Sequence, residues 1–276
     1  MNELSWKNAE GMRLHAVQWP ADNARAVILL IHGQGEHIGR YAHVAQWYNA
    51  HSIAVVGYDQ QGYGRSEGRR GHAKSLDVLL NDVGLALDET RRLYPGLPLF
   101  LYGHSMGGNI VLNYLFRRRP AVSGVIATGP WVRLAFQAPA LKVVAGRLLR
   151  HVLPNLRLPN GLAVHFLSHD PAVVAAYQRD PRVHNLLSTG AGIALLEAAN
   201  WLDRYAGDTP APLLLMHGGG DKITSAAATR ELAARLSGNV AHREWPELYH
   251  EIHNEKEKEG VFAYTLTWMD RILLTR

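Results

Sequence analysis

Pro98-Leu-Phe-Leu-Tyr-Gly-His-Ser-Met-Gly107 runs from a short apolar stretch, through a glycine-bounded turn, into an apolar segment of helical period, Gly108-Asn-Ile-Val-Leu-Asn-Tyr-Leu-Phe116. The central five residues are G-x-S-x-G in a strand–turn–helix setting, which holds the serine on a sharp, strained turn. The positions two before and two after it must stay small to avoid clashes. The helix N-terminus offers backbone N–H groups and a positive dipole end to a developing oxyanion. Ser105 is therefore the expected nucleophile. Gly64-Arg-Ser-Glu-Gly68 satisfies the same pattern, but Ser66 lies in the polar loop 59–71 and no helical pattern starts before about Ser75. Ser66 reads as a loop serine.

Outward from this motif, short apolar runs alternate with helix-period segments, the pattern of a parallel α/β sheet. The expected strands are Ala26–Ile31, Ile53–Tyr58, Leu99–Tyr102, Val122–Ala127, Leu213–Met216 and Ala241–Trp245. Helices are expected near 40–50, 75–93, 106–118, 225–236 and 256–273. Met1–Trp19 reads as a hairpin turning at Glu10-Gly11, an antiparallel edge to the sheet. From Trp131 to about Ala206 the alternation stops, with helical patterning and proline-rich turns but no good strand. The expected organisation is a core over 1–130, a helical cap over 131–206, and the rest of the core over 207–276. In the cap, Leu141, Val144, Ala145, Leu148, Leu149 and Val152 follow amphipathic spacing. Pro139 stands where a first-turn proline is tolerated, and Lys142, Arg147, Arg150 and His151 fall mainly on the other face.

With a serine nucleophile in such a sheet, the acid and then the base follow later strands. Asp221 comes after Leu213–Met216 and the run His217-Gly-Gly-Gly, whereas Asp203 and Asp208 precede that strand. Helix capping is the alternative reading of Asp221. His250, on the loop after the last strand, is the expected base. His253 and His242 are its competitors. One oxyanion donor would be the N–H of Met106, and the second that of Gln34, in the glycine-rich turn after Ala26–Ile31. Gly33 lets backbone approach substrate closely.

Composition narrows the alternatives. The 276 residues hold no cysteine, which removes disulfides, thiolate metal sites and cysteine nucleophiles together. The net charge of +5 is small for a nucleic-acid binder, and the cluster Arg117–Arg119 closes an expected helix. The fifteen histidines show no metal-ligand spacing, so no metal and no cofactor are expected. No uninterrupted apolar run exceeds the six residues of Ala26–Ile31, far short of the roughly 20 a spanning helix needs. The N-terminus lacks a basic head and an apolar core, so a cytoplasmic protein is expected.

Three segments carry a family resemblance: His32-Gly-Gln-Gly-Glu-His-Ile-Gly-Arg-Tyr41, Gly103-His-Ser-Met-Gly-Gly108, and Leu167-Ser-His-Asp-Pro-Ala-Val-Val-Ala-Ala-Tyr-Gln-Arg-Asp-Pro181. Over nearly the whole chain the sequence resembles the monoacylglycerol lipase / lysophospholipase group of the α/β-hydrolase superfamily, with its serine aminopeptidase S33-like members. The resemblance implies an α/β-hydrolase fold and a serine esterase that cleaves monoacylglycerol or lysophospholipid-like lipid esters through an acyl-enzyme. An acyltransferase, a serine aminopeptidase and a non-catalytic binding protein are the rivals. Two departures stand out: three glycines precede Asp221, and Gln60-Gln61 replaces a more basic pair. The apolar face of the cap helix, with Leu148, Leu149 and Val152, either packs on the core or serves substrate, by lining an acyl tunnel or meeting a lipid surface.

Overall fold

The computed structural model describes residues 1–136 and 140–275, with the side chains of 140–143 outside that set. Pro139, placed above on the cap helix, therefore lies outside the described residues, as do the side chains of Leu141 and Lys142. The chain opens with the hairpin β1 (Asn2–Lys7) and β2 (Arg13–Trp19). Then come β3 (Ala26–Ile31), α1 (Ala42–Asn49), β4 (Ile53–Tyr58), α2 (Leu76–Leu93), β5 (Leu99–His104), α3 (Met106–Arg118) and β6 (Gly124–Thr128). After β6 follow α4 (Ala140–Val152), β7 (Arg157–Pro159), α5 (Pro171–Arg179), β8 (Leu186–Ser188) and α6 (Thr189–Leu202). The chain finishes with β9 (Gly207–Asp208), β10 (Leu213–Gly218), α7 (Ala226–Arg235), β11 (Leu236–Ser237), β12 (Val240–Trp245) and α8 (Lys258–Leu274).

Eight strands form one sheet in the order β1-β2-β4-β3-β5-β6-β10-β12. The hairpin and the β2–β4 pair are antiparallel, and the remaining pairs are parallel. This is the α/β-hydrolase architecture expected from the sequence. Strands β3, β4, β5, β6 and β10 are buried along their whole length, because helices cover both faces. Alternate residues divide between two cores. Val27, Leu29 and Ile31 face the layer holding α2 and α3, and Ala26, Ile28 and Leu30 face the layer holding α1 and α8.

The interval between β6 and β10 departs from expectation in two ways. It contains strands, since β7 and β8 pair as an antiparallel ribbon with Leu158 opposite Leu187. Three residues are too few to show a period in sequence, and the partners are joined only by folding. Helix α6 is also no part of an overhanging cap. Its Ala191, Leu195 and Leu202 enter the core beneath the sheet, against α2 and α3. Helix α4 rests on α6, where Gly146 faces Ile193.

Candidate active site

Ser105 sits between β5 and α3 with φ 54° and ψ −115°, a backbone conformation that costs energy for any residue with a side chain. The sheet and the helix enforce it. A Cβ on Gly103 would fall 2.4 Å from the Gly107 carbonyl oxygen, and one on Gly107 would fall 2.2 Å from that of Ile31. The turn can form only with glycine at both places. The Ser105 N–H donates to Thr128 O (3.0 Å), anchoring the serine to the neighbouring strand.

Asp221 and His250 arrive on the loops after the C-terminal ends of β10 and β12. Their loops meet backbone to backbone: Gly219 N donates to Trp245 O (2.7 Å) and Gly220 N to Leu248 O (3.0 Å). A Cβ on Gly218 would lie 2.2 Å from Tyr249 O, so glycine there permits the contact. The outcome is a chain of hydrogen bonds. His250 Nδ1 donates to Asp221 Oδ2 (2.7 Å), which leaves Nε2 to accept from Ser105 Oγ (2.9 Å).

Electrostatics favour this arrangement. Burial alone would raise the Asp221 carboxyl, but His250 and His217 hold it well below the usual carboxylate range. Backbone N–H groups of Ile223 and Thr224 also donate to its Oδ1 (2.7 and 3.1 Å). For His250, burial opposes the charged form, yet Asp221 in direct contact raises its affinity for a proton above the ordinary imidazole value.

The competing residues stand elsewhere. Ser66 is buried, with its Oγ donating to Asp59 O (2.5 Å) and accepting from His15 N (2.8 Å). His253 is buried in a stack on Tyr41, with ring centroids 4.8 Å apart. His242 lies within β12, and Asp203 pairs with Arg133 at 2.7 Å. Asp208 is in the short strand β9.

Met106 follows Ser105 as the first residue of α3, and Gln34, in the turn after β3, lines both cavities that Ser105 borders. Gly33 brings that turn against Ser105, since a Cβ there would be 3.3 Å from Ser105 Cβ. Gly33 N donates to Glu36 Oε1 (2.6 Å), and Tyr41 OH donates to the same oxygen (2.7 Å). Arg40 then bridges Glu36 and Glu251 (2.5 and 2.7 Å). Burial would push the Glu36 carboxyl up, but Arg40, His104, His32 and the Tyr41 hydroxyl bring it to about 2. The sequence reading gave this buried cluster no role. Its signal was present as three ionisable residues, Glu36, Arg40 and Tyr41, within six positions of the turn after β3.

Ser105 borders two cavities of opposite character. One, of about 400 Å³, is lined mainly by Trp131, Leu134, Phe136, Leu162, Phe166, Leu187 and Ile223. The other is narrow, about 30 Å³, and carries Glu36, His104, Tyr177, His250 and Glu251. The proposed substrate contacts Leu148, Leu149 and Val152 line neither. Leu148 and Val152 are 68% and 77% exposed, because α4 turns its other side to α6. Most of the apolar lining comes instead from 131–136 and 160–166, short segments in which no periodicity marks a face, with Leu187 and Ile223 added from elsewhere.

A family model described as serine aminopeptidase, S33, matches residues 22–257. The chain belongs to that family. It is a serine hydrolase with the α/β-hydrolase fold. It is 35% identical to a monoacylglycerol lipase of Mycolicibacterium smegmatis, over 97% of this chain and 96% of the relative. It is also 36% identical, over 88% of its length, to an uncharacterized abhydrolase domain-containing protein of Dictyostelium discoideum, and spans only 26% of that larger protein. Among solved structures, the monoacylglycerol lipase of Paleococcus ferrophilus superposes with a TM-score of 0.84 at 29% identity, covering 94% of this chain and 99% of that one.

Proposed function

We propose that the protein hydrolyses monoacylglycerols, with Ser105 as nucleophile, His250 as general base and Asp221 as its orienting carboxylate. The carrying observation is the position of Ser105 between a large apolar cavity and a narrow polar one. An acyl chain fills the first. The glycerol end of the ester faces the mouth of the second, whose lining includes Glu36, Tyr177 and Glu251. Two carboxylates against the single guanidinium of Arg40 give this pocket a negative balance, which repels the phosphate of a lysophospholipid. Its narrowness works in the same direction.

In the reaction, His250 Nε2 takes the Ser105 proton as Oγ attacks the acyl carbonyl. The oxyanion is held by the N–H groups of Gln34 and Met106, each worth roughly 3–4 kcal/mol of transition-state stabilisation. Protonated His250 then delivers its proton to the departing glycerol oxygen. Water, activated by the same imidazole, releases the fatty acid and restores the serine. These steps need no metal or cofactor.

The exposed apolar side of α4, with Val144, Leu148 and Val152, belongs in this reading as the face that meets a lipid surface. No described helix is long and apolar enough to cross a membrane. A substrate panel at one acyl length tests the whole proposal. The expected order of kcat/KM is 1-monoacylglycerol above short ester, with lysophosphatidylcholine and an aminoacyl amide far below. Preference for the lysophospholipid overturns the head-group assignment, and preference for the amide overturns the ester reading. Glyceride formation outpacing hydrolysis in the presence of excess glycerol would favour the acyltransferase.

A further inference from the structure

Asp221 carries a second imidazole. His217, the fifth residue of β10, is fully buried, and its Nε2 lies 3.0 Å from Asp221 Oδ2, the oxygen that also accepts from His250 Nδ1 at 2.7 Å. An ionised carboxylate can only accept, so His217 carries its proton on Nε2. Its Nδ1 faces Thr229 Oγ1 at 2.8 Å, and the threonine hydroxyl satisfies it as donor. The tautomer is thereby set by α7 on one side and by Asp221 on the other.

We propose that His217 is a positioning residue for the reaction: its Nε2–H fixes the rotamer of Asp221 and draws charge from the oxygen that faces His250. The inference rests on the assignment of Ser105, His250 and Asp221 as the reacting groups. Without His217, Oδ2 would keep His250 and the hydroxyl of Thr224, at 2.8 Å. That hydroxyl also lies 3.0 Å from Gly129 O and has one proton to give. A strand-borne imidazole packed on all sides is a firmer donor. Backbone N–H groups of Ile223 and Thr224 hold Oδ1, and His217 is the donor from outside that loop that holds Oδ2.

The consequence is chemical as well as geometric. Sharing Oδ2 between two N–H donors weakens the pull of the carboxylate on the His250 proton, so His250 stays a free base to lower pH. The other groups around His250 and His217 do not duplicate this effect. His104 approaches from β5, with its ring 4.8 Å from that of His250, and Glu36 comes from the turn after β3. Glu251 and His253 come from the base's own segment, Arg40 lies behind them, and His242 faces His217 from β12. Among the described residues only His217 and Thr224 hydrogen-bond Oδ2 alongside His250, while Ile223 N and Thr224 N donate to Oδ1.

The test is the pH dependence of kcat/KM on a short soluble ester for His217→Leu, His217→Gln and Thr229→Val. Abolished turnover in Ser105→Ala is the separate check on the triad itself, so the two readings fail independently. In His217→Leu the acid limb should move to higher pH by about one unit, a factor of ten in proton affinity, and kcat should fall with KM little changed. Gln presents an N–H at nearly the same reach and should restore both the limb and most of kcat. Thr229→Val, which removes only the partner of Nδ1, should shift the limb in the same direction by less. If His217→Leu does not fold, the Gln and Val variants decide. A wild-type limb in the Val variant, or a His217→Leu profile superimposing on wild type, overturns the proposal.

Discussion

The side-chain amide of Gln34 donates to the carbonyl oxygen of Leu186, 3.1 Å away and 152 positions along the chain. The residue whose backbone N–H is assigned to the oxyanion is thus tied by its side chain to the ribbon of the inserted segment. Asn160 closes the other end by donating to Gln34 Oε1. Next to it, His184 N donates to Gly35 O (2.9 Å), and His37 Nε2 meets Asp180 Oδ2 (2.8 Å). The oxyanion turn is held from above as well as from the sheet.

Removing that side chain should therefore weaken catalysis without deleting the N–H. For Gln34→Ala, kcat on a short ester should drop about tenfold, less than the roughly hundredfold expected when a donor is lost outright. Asn160→Ala should give a smaller loss in the same direction. Steady-state kinetics on both variants measure it, and unchanged kcat in both would detach the inserted segment from the oxyanion turn.

Ser105→Ala should abolish covalent labelling by a fluorophosphonate and lower turnover by about 10⁴-fold or more. Ser66→Ala should keep the label, because its hydroxyl is spent on Asp59 O and His15 N. Mapping the label by peptide mass decides between them.

The base must be neutral to act, and Asp221 raises the proton affinity of His250 against the opposing effect of burial. The acid limb of kcat/KM should accordingly have its midpoint above the ordinary imidazole value of about 6.5, with activity falling as pH drops through it. Asp221→Asn should cost about 10⁴-fold in kcat. In that variant burial is no longer opposed, so whatever limb remains should move to lower pH. A limb that stays in place would show that the carboxylate does not govern the base.

Asp82, on α2, is buried and accepts from Asn8 Nδ2 (3.0 Å). Burial raises its carboxyl from 3.8 to about 7. The folded state thus binds this proton more tightly than the unfolded chain. Its stabilising contribution is complete below about 4 and lost as pH rises toward 7. Asp82→Asn keeps the acceptor without the charge and should raise Tm at pH 8, by about 2–4 °C for each kcal/mol relieved. Below about pH 4, where the carboxyl is protonated in both states, the two proteins should melt together. Calorimetry at both values checks the difference.

Leu148→Asp alters a residue that is 68% exposed and outside both cavities. Thermal stability and turnover of a short soluble ester should stay at wild-type values. Activity on long-chain monoacylglycerol presented in vesicles should fall several-fold, since the face proposed to meet lipid then carries a charge. Equal activity on vesicles would remove α4 from the lipid-facing surface.

The sequence by itself determined the sheet, the turn that presents Ser105, and the two loops that deliver Asp221 and His250. Those features are local. Buried strands such as Ala26–Ile31 write themselves as uninterrupted apolar runs, and a glycine two residues either side of a serine is a steric demand visible in one dimension. Asp221 and His250 follow from their order after particular strands. The tertiary structure alone decided what surrounds them. Gln34 with Leu186, Arg40 with Glu251, and His217 with Thr229 are pairs made by chain segments brought together only on folding. Helix α4 shows the same limit from the other side. Its period marked an apolar stripe correctly, but a period says only that one face differs from the other. Which face meets the protein depends on the neighbour, and here α6 takes the side of Gly146, where the backbone can approach closely.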